Sequence, residues 1–348
     1  MAGPSVLRQL SNPDNRFHRS AVEWDIEPPP KVKLSLYEDQ SKSILSRNDS
    51  PDLGFDWSVN PYRGCFHGCA YCYARPSHEY LDFGAGTDFE RKLVLKRNAA
   101  QLLRQRFMKP SWRGELVLFS GNTDCYQPLE AVQGLTRACL EVCLEFRNPA
   151  SIITKGAVIE RDAELIAELH RQSHASVIVS LPFISAEHAR AIEPYVPSPA
   201  RRLQVIERLS SLGIPVGVNI APIIPGLNDA EGPAILKAAR EAGATFFGLT
   251  MVRLPSPVDK VFEARIRETL PLRADRILSQ IEACRGGARN DSRFGARMRG
   301  QGARWEVIET MIRAAGRRHG MGAAPPVPEP SAFRRPDRSG QMGLFGSG

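Results

Sequence analysis

Short runs of β-branched and aromatic residues, each followed by a longer stretch with helical periodicity, dominate the chain from about residue 55 onward. The runs are Phe55–Val59, Glu115–Ser120, Ser151–Thr154, Val177–Leu181, Val216–Ile220 and Phe246–Val252. Amphipathic segments lie near 92–108, 129–146, 160–173, 201–212, 230–242 and 260–281. Strands alternating with helices imply right-handed crossovers and a parallel sheet. Six such units predict an α/β fold, a partial (β/α)6 TIM-like barrel of parallel strands. An open doubly wound sheet is the other geometry the pattern allows. In both, chemistry belongs at the C-terminal ends of the strands. Leu212-Gly213 and Ala242-Gly243 read as helix C-caps.

The flanks differ from this core, which spans 51–283. Residues 1–50 are polar, with three prolines at 28–30, and read as an extended or loosely packed N-terminal arm. Residues 284–322 are Arg-rich and predict a basic helical extension. Residues 323–348 form a Pro-rich tail, expected to be disordered, that ends in QMGLFGSG. No apolar run reaches the ~18 residues a bilayer crossing needs. The N-terminus lacks the apolar core of a secretory signal, so no membrane partner and a cytoplasmic location are expected. The formal charge of +8 suggests a polyanionic partner. Seven cysteines, an odd count in a chain without an export signal, argue against a disulfide framework.

Three of the seven, Cys65, Cys69 and Cys72, lie within eight residues in the string NPYRGCFHGCAYCYAR. Three thiolates on one tight loop can hold three corners of a [4Fe-4S] cube and leave the fourth iron open to an external ligand. Gly64 and Gly68 let the backbone wrap closely around such a group. The alternatives are a zinc site completed by His67 or His78, or three buried structural cysteines. Cys125, Cys139, Cys143 and Cys284 lack cluster spacing, and Cys139 and Cys143, four apart on a predicted helix, read as core.

The C-x3-C-x2-C spacing with an aromatic, Tyr71, before the last cysteine resembles the signature of radical S-adenosylmethionine (SAM) enzymes. The longer string is similar to the branch that includes spore photoproduct lyase, a DNA-repair enzyme, and the resemblance extends over about residues 55 to 275. It implies two cofactors, a [4Fe-4S] cluster on the three cysteines and S-adenosyl-L-methionine on the open iron. It also implies reductive cleavage to a 5′-deoxyadenosyl radical and a reducing partner such as flavodoxin or ferredoxin. Around the cofactor it suggests Tyr71, Ser120 and Thr123 in the loop after the second strand, and Lys155 after the third. Ser180 would meet the ribose, Arg202 would clamp the methionyl carboxylate, and Ile220 would lie against the adenine. Each of these positions also has a plain structural reading: a polar loop, a surface charge or an ordinary barrel strand.

The lyase branch carries a cysteine hydrogen donor where this chain has Gly121. Cys125 is the residue that could substitute, or the donor is absent. Arg285, Arg289, Arg293, Arg297, Arg299 and Arg304, interleaved with Phe294 and Trp305, suit phosphate contact and base stacking. They equally suit a solvated basic hairpin over the open side of the barrel. Gln341, Leu344 and Phe345 resemble the Q-x-x-L-F peptide that docks bacterial repair proteins on the sliding clamp. The expected function is therefore a radical enzyme acting on nucleic acid, DNA or RNA, in a repair-like reaction. The alternatives are radical modification of RNA, protein or a small molecule, and a non-enzymatic iron–sulfur or zinc nucleic-acid-binding protein.

Overall fold

The computed structural model describes residues 7–10 and 33–336. Its strands are β1 (Leu7–Leu10), β2 (Ser35–Asp39), β3 (Leu45–Arg47), β4 (Trp57–Val59), β5 (Tyr62–Arg63) and β6 (Lys92–Leu95). They continue with β7 (Val117–Phe119), β8 (Ala150–Thr154), β9 (Ala175–Ser180), β10 (Val216–Ile223) and β11 (Phe246–Met251). The main sheet runs β11-β10-β9-β8-β7-β4-β3. The six strands from β4 through β7 to β11 are parallel, and β3 adds antiparallel to the outer edge of β4.

Each crossover moves one strand further in the same direction, with no reversal of order. A doubly wound sheet needs such a reversal, so the fold is a partial α/β barrel. Its strands coincide with the six apolar runs, and the inner strands β7 to β10, covered on both faces, are nearly continuously apolar, whereas the edge strand β11 is half-buried over Phe247–Thr250. Residues Ala150, Ile152, Val177, Val179, Val216, Val218 and Ile220 all lie in the core. The helix Leu135–Phe146 shows how the outer layer is fixed: Leu135, Cys139, Val142, Cys143 and Phe146 are its buried face. Among the described residues no helix is long and apolar enough to cross a membrane.

Four expectations, one in the core and three about the flanks, are corrected. Lys92–Leu95 begins the predicted segment 92–108 as a strand, and the helix starts only at Ala99. A four-residue apolar run does not by itself distinguish strand from helix. β6 pairs with β2 from the supposed N-terminal arm, in a second sheet ordered β1-β2-β6-β5 that buries Leu36 completely. In the basic extension only Ala303–Arg318 is helical. The stretch before it is turns braced by Arg285, which is buried and donates to the carbonyls of Val252, Ala296, Arg297 and Arg299. Finally, residues 331–336 of the Pro-rich tail pack on the barrel. Phe333 lies against Phe107 and Phe146, and Arg335 donates to the carbonyls of Phe107, Lys109 and Trp112. A guanidinium over the C-terminal carbonyls of the helix Ala99–Phe107 supplies donors that helix end lacks. Gln341, Leu344 and Phe345 lie outside the described residues, and nothing in the fold supports docking on a sliding clamp.

The extension also spans the seam left open between the sheet's two edges, β11 and β3. Arg297 pairs with Asp52 at 2.6 Å and donates to Ser50, while the Gly295 amide donates to the other Asp52 oxygen at 2.6 Å.

Candidate active site

The three clustered cysteines sit on the loop between β5 and the helical turn Arg75–Leu81, at the C-terminal end of the barrel. Cys65 and Cys69 are buried and Cys72 half-buried. Arg75, fully enclosed, organises this loop. Its guanidinium donates to the carbonyls of Gly68 and Cys69 on one side and of Ala85 and Gly86 on the other, and it meets Glu90 at 2.5 Å. Gln127 pins the loop's opposite face, donating to the Gly64 carbonyl and accepting from the Phe66 amide. Gly64 and Gly68 have φ of 75° and 67°. A Cβ at Gly64 would come within 2.9 Å of the Phe89 carbonyl oxygen, and one at Gly68 within 2.9 Å of the Tyr195 ring. Glycine is thus required at both positions by the packing of the loop against Phe89 and Tyr195, beyond the wrapping around a bound group that the sequence suggested.

The donor set fits an iron–sulfur cluster. Burial, aided by Asp124 and the neighbouring sulfurs, holds the Cys65 thiol well above its ordinary range; burial likewise pushes Cys69 up to about 12, against the pull of Lys155. Thiolates here need a positive counter-charge, which a bound metal group provides as it displaces the protons. His78, the candidate fourth zinc ligand, is fully buried with Nε2 2.8 Å from the Lys92 carbonyl and its ring edge-on to Phe89. His67 is buried with Nδ1 3.3 Å from Asp124 Oδ2. Among the described residues no three His, Cys, Asp or Glu side chains converge as ligands of a single ion. In a cubane each cysteine serves a different iron, so such convergence is not required.

Beside the loop, the strand ends bring together Tyr71, Lys155, Ser180 and Arg202, as the sequence suggested. They meet around a residue the sequence reading missed. Glu193, buried, accepts from the Tyr71 hydroxyl and pairs with Arg202 at 2.5 Å. Arg202 also donates to the carbonyls of Pro197 and Ser180, each at 2.9 Å. Its guanidinium is thus engaged by Glu193 and the backbone here, where the sequence reading had it clamp a ligand carboxylate, and it holds Glu193 in place. The available cation is Lys155. Its Nζ lies 5.7 Å over the Tyr71 ring and makes no hydrogen bond among the described residues. Burial lowers its pKa, but Cys69, Glu193 and Asp124 outweigh that and raise it, so the ammonium stays charged.

Asp124 is the second residue that was overlooked. It accepts from the Thr154 hydroxyl and the Tyr126 and Lys155 amides, which orients the start of the 154–156 turn. Burial alone would raise its carboxyl, but His67 and these donors hold it at about 2. The only sequence signal for Glu193 was a lone acid between Ile192 and Pro194-Tyr195.

Other expected contacts go elsewhere. The Ser120 hydroxyl donates to the Ile153 carbonyl at 2.6 Å and accepts from the Cys125 amide. The Thr123 hydroxyl donates to the Tyr62 carbonyl at 2.8 Å. Both therefore brace the loop after β7, where Ser120 and Gly121 have φ of 87° and 86°. Ile220 is enclosed in the core. Cys125 is likewise fully enclosed, its carbonyl tied to Thr136 and its thiol pushed well above the ordinary range by burial. It offers no surface from which to pass hydrogen to a substrate.

The sequence model of the Radical SAM superfamily matches residues 59–239, from the end of β4 to the helix after β10. The chain belongs to the radical SAM superfamily. Members of this superfamily use a [4Fe-4S] cluster and S-adenosylmethionine, and the chain is an enzyme of that kind. An uncharacterized protein of Mycobacterium tuberculosis is 40% identical over 239 residues, covering 67% of this chain and 70% of the relative. An uncharacterized protein of Methanocaldococcus jannaschii is 28% identical over 199 residues, covering 57% of this chain and 71% of the relative. Among solved structures, spore photoproduct lyase complexed with dinucleoside spore photoproduct shares the fold, with a TM-score of 0.59. At 15% identity that likeness covers 82% of this chain and 80% of the lyase.

Proposed function

We propose that this radical SAM enzyme acts on a nucleic acid. The observation that carries the reading is the lyase's fold, matched over most of the chain by a protein whose structure holds a dinucleoside lesion. Cys65, Cys69 and Cys72 would hold the cluster, and Lys155 would face the carboxylate of S-adenosylmethionine. Tyr71 and Glu193 would form the polar wall beside it. When bound and reduced, by flavodoxin or ferredoxin in this reading, the pair supplies a radical that abstracts hydrogen from a substrate. The protein's share is to fix geometry and exclude water, and the apolar barrel under the site serves that end.

Repair of the lyase's own lesion is not part of the proposal. The turn 120–122 carries no thiol, and Cys125 is enclosed. The Arg-rich extension also contributes less than its composition suggested. Arg289, Arg293, Arg297, Arg299 and Arg304 all pair with carboxylates of this chain, Arg285 with carbonyls, and Trp305 is buried. The test is anaerobic turnover of the reconstituted enzyme with DNA and RNA pools, following deuterium from labelled strands into 5′-deoxyadenosine. Label transfer from a nucleic acid supports the reading; 5′-deoxyadenosine formed without label from either pool overturns it.

A further inference from the structure

One arginine at the mouth differs from those of the extension. Arg253 follows β11, at the C-terminal end of the last barrel strand, and no carboxylate pairs with it among the described residues. Its Nη1 reaches only the Met298 sulfur, at 3.8 Å, and its Nε is buried without a partner. Asp52, the acid that acts on it electrostatically, is already bound by Arg297 and the Gly295 amide. Burial and the adjacent Arg297 both lower the Arg253 pKa, so the side chain sits where an anion would relieve it.

Two exposed rings belong to this region, one on Arg253 and one on its neighbour Arg297. Tyr73, next to the cluster ligand Cys72 and 49% exposed, lies under the Arg253 guanidinium at 5.5 Å. Its hydroxyl donates to the Gly121 carbonyl, which fixes the ring at the barrel mouth. Arg297, which acts electrostatically on Arg253, lies 4.5 Å over Phe294, itself 59% exposed. Tyr73 comes from the first strand's loop and Arg253 from the last strand, so the row crosses the open seam of the barrel.

We propose that Arg253 binds a backbone phosphate of the substrate strand while Tyr73 and Phe294 stack nucleobases beside it, laying an unpaired nucleotide across the seam next to the cluster loop. The site rests on the nucleic-acid reading above and says how that substrate is held. Cationic groups interleaved with sequence-tolerant aromatic platforms are the arrangement by which proteins track single strands. It is also where a base drawn out of a duplex would be received.

The test uses anaerobic holoenzyme and labelled single-stranded DNA or RNA, with affinity measured by fluorescence anisotropy across a salt series. Iron content and far-UV dichroism verify that each variant is folded. Arg253→Ala should weaken binding about tenfold and reduce the slope of log affinity against log salt by about 0.7, the value of one phosphate contact on a single strand. Arg253→Lys should restore most of the slope. Phe294→Ala should weaken binding about tenfold with the slope unchanged, since stacking releases no counterion. Arg293→Ala, at an exposed residue paired with Asp291, should change neither quantity. The DNA-to-RNA affinity ratio then names the sugar. If wild-type protein binds strands and Arg253→Ala leaves affinity and slope unchanged, this site is wrong while the nucleic-acid reading stands. If wild-type protein binds neither strand, the reading itself fails and the site fails with it.

Discussion

Replacing Arg75 by alanine probes how the cluster loop is held before any metal arrives. The guanidinium is fully enclosed and its N–H groups reach the carbonyls of Gly68, Cys69, Ala85 and Gly86 and the Glu90 carboxylate. In the variant, the Gly68 carbonyl remains inside the loop without a donor, at about 1–3 kcal/mol, and the Cys69 carbonyl keeps only the Cys72 amide. Gly86 and Glu90 recover part of their loss from water, so the total is about 3–5 kcal/mol, the range for breaking a buried charge pair. Every one of these partners lies between residues 68 and 90, which makes the loss local. The opening equilibrium of the loop should therefore rise by roughly a hundred- to a few thousand-fold. Hydrogen exchange measured by mass spectrometry reads this directly at the amides of Cys65, Cys72 and Arg75, which are bonded to the Phe89, Cys69 and Cys72 carbonyls. Peptides from β8 and β9 serve as the unchanged reference, and iron uptake on anaerobic reconstitution should fall in parallel. Arg75→Lys should recover little, because an ammonium presents its donors at one point and cannot bridge both sides of the loop. Exchange of the loop within threefold of wild type, with full iron uptake, would refute this account of the loop.

Three further outcomes follow from the same structure. Lys155→Gln removes a cation without removing any hydrogen bond of the described fold; S-adenosylmethionine affinity by calorimetry on the holoenzyme should drop about tenfold, as for a lost charged contact. An unchanged dissociation constant would move the carboxylate site elsewhere. Lys96 is buried, and burial with Arg63 nearby pushes it down to about 8. Below pH 8 the folded state carries a penalty of roughly 3 kcal/mol that fades as pH rises toward the unfolded value near 10.4. Lys96→Met should accordingly stabilise the protein against urea at pH 7, with the gain shrinking above pH 8; a gain independent of pH would contradict the assignment. Cys125→Ala should cost about 1 kcal/mol of stability through lost packing and leave the yield of 5′-deoxyadenosine and the product ratio as they were. A changed product would return Cys125 to the list of hydrogen donors.

What the sequence by itself determined were the features written locally. The barrel strands appear as apolar runs because the inner ones are covered on both faces, and the cluster loop appears as cysteine spacing because all three cysteines lie on one turn. Lys155 and Tyr71 could be placed at the strand ends for the same reason: an α/β barrel sends every loop after a strand to one rim. Only the tertiary structure decided which charges meet. Arg202 and Arg297 read as free guanidiniums in the chain, yet one closes on Glu193 and the other on Asp52, 245 positions away. Arg253, in an unremarked stretch after the last strand, is left at the mouth without a carboxylate partner among the described residues. Periodicity reports which face of an element is buried, whereas the partner of a charge depends on distances set by the closed fold. The same limit hid β2, whose pairing with β6 joins segments more than fifty residues apart.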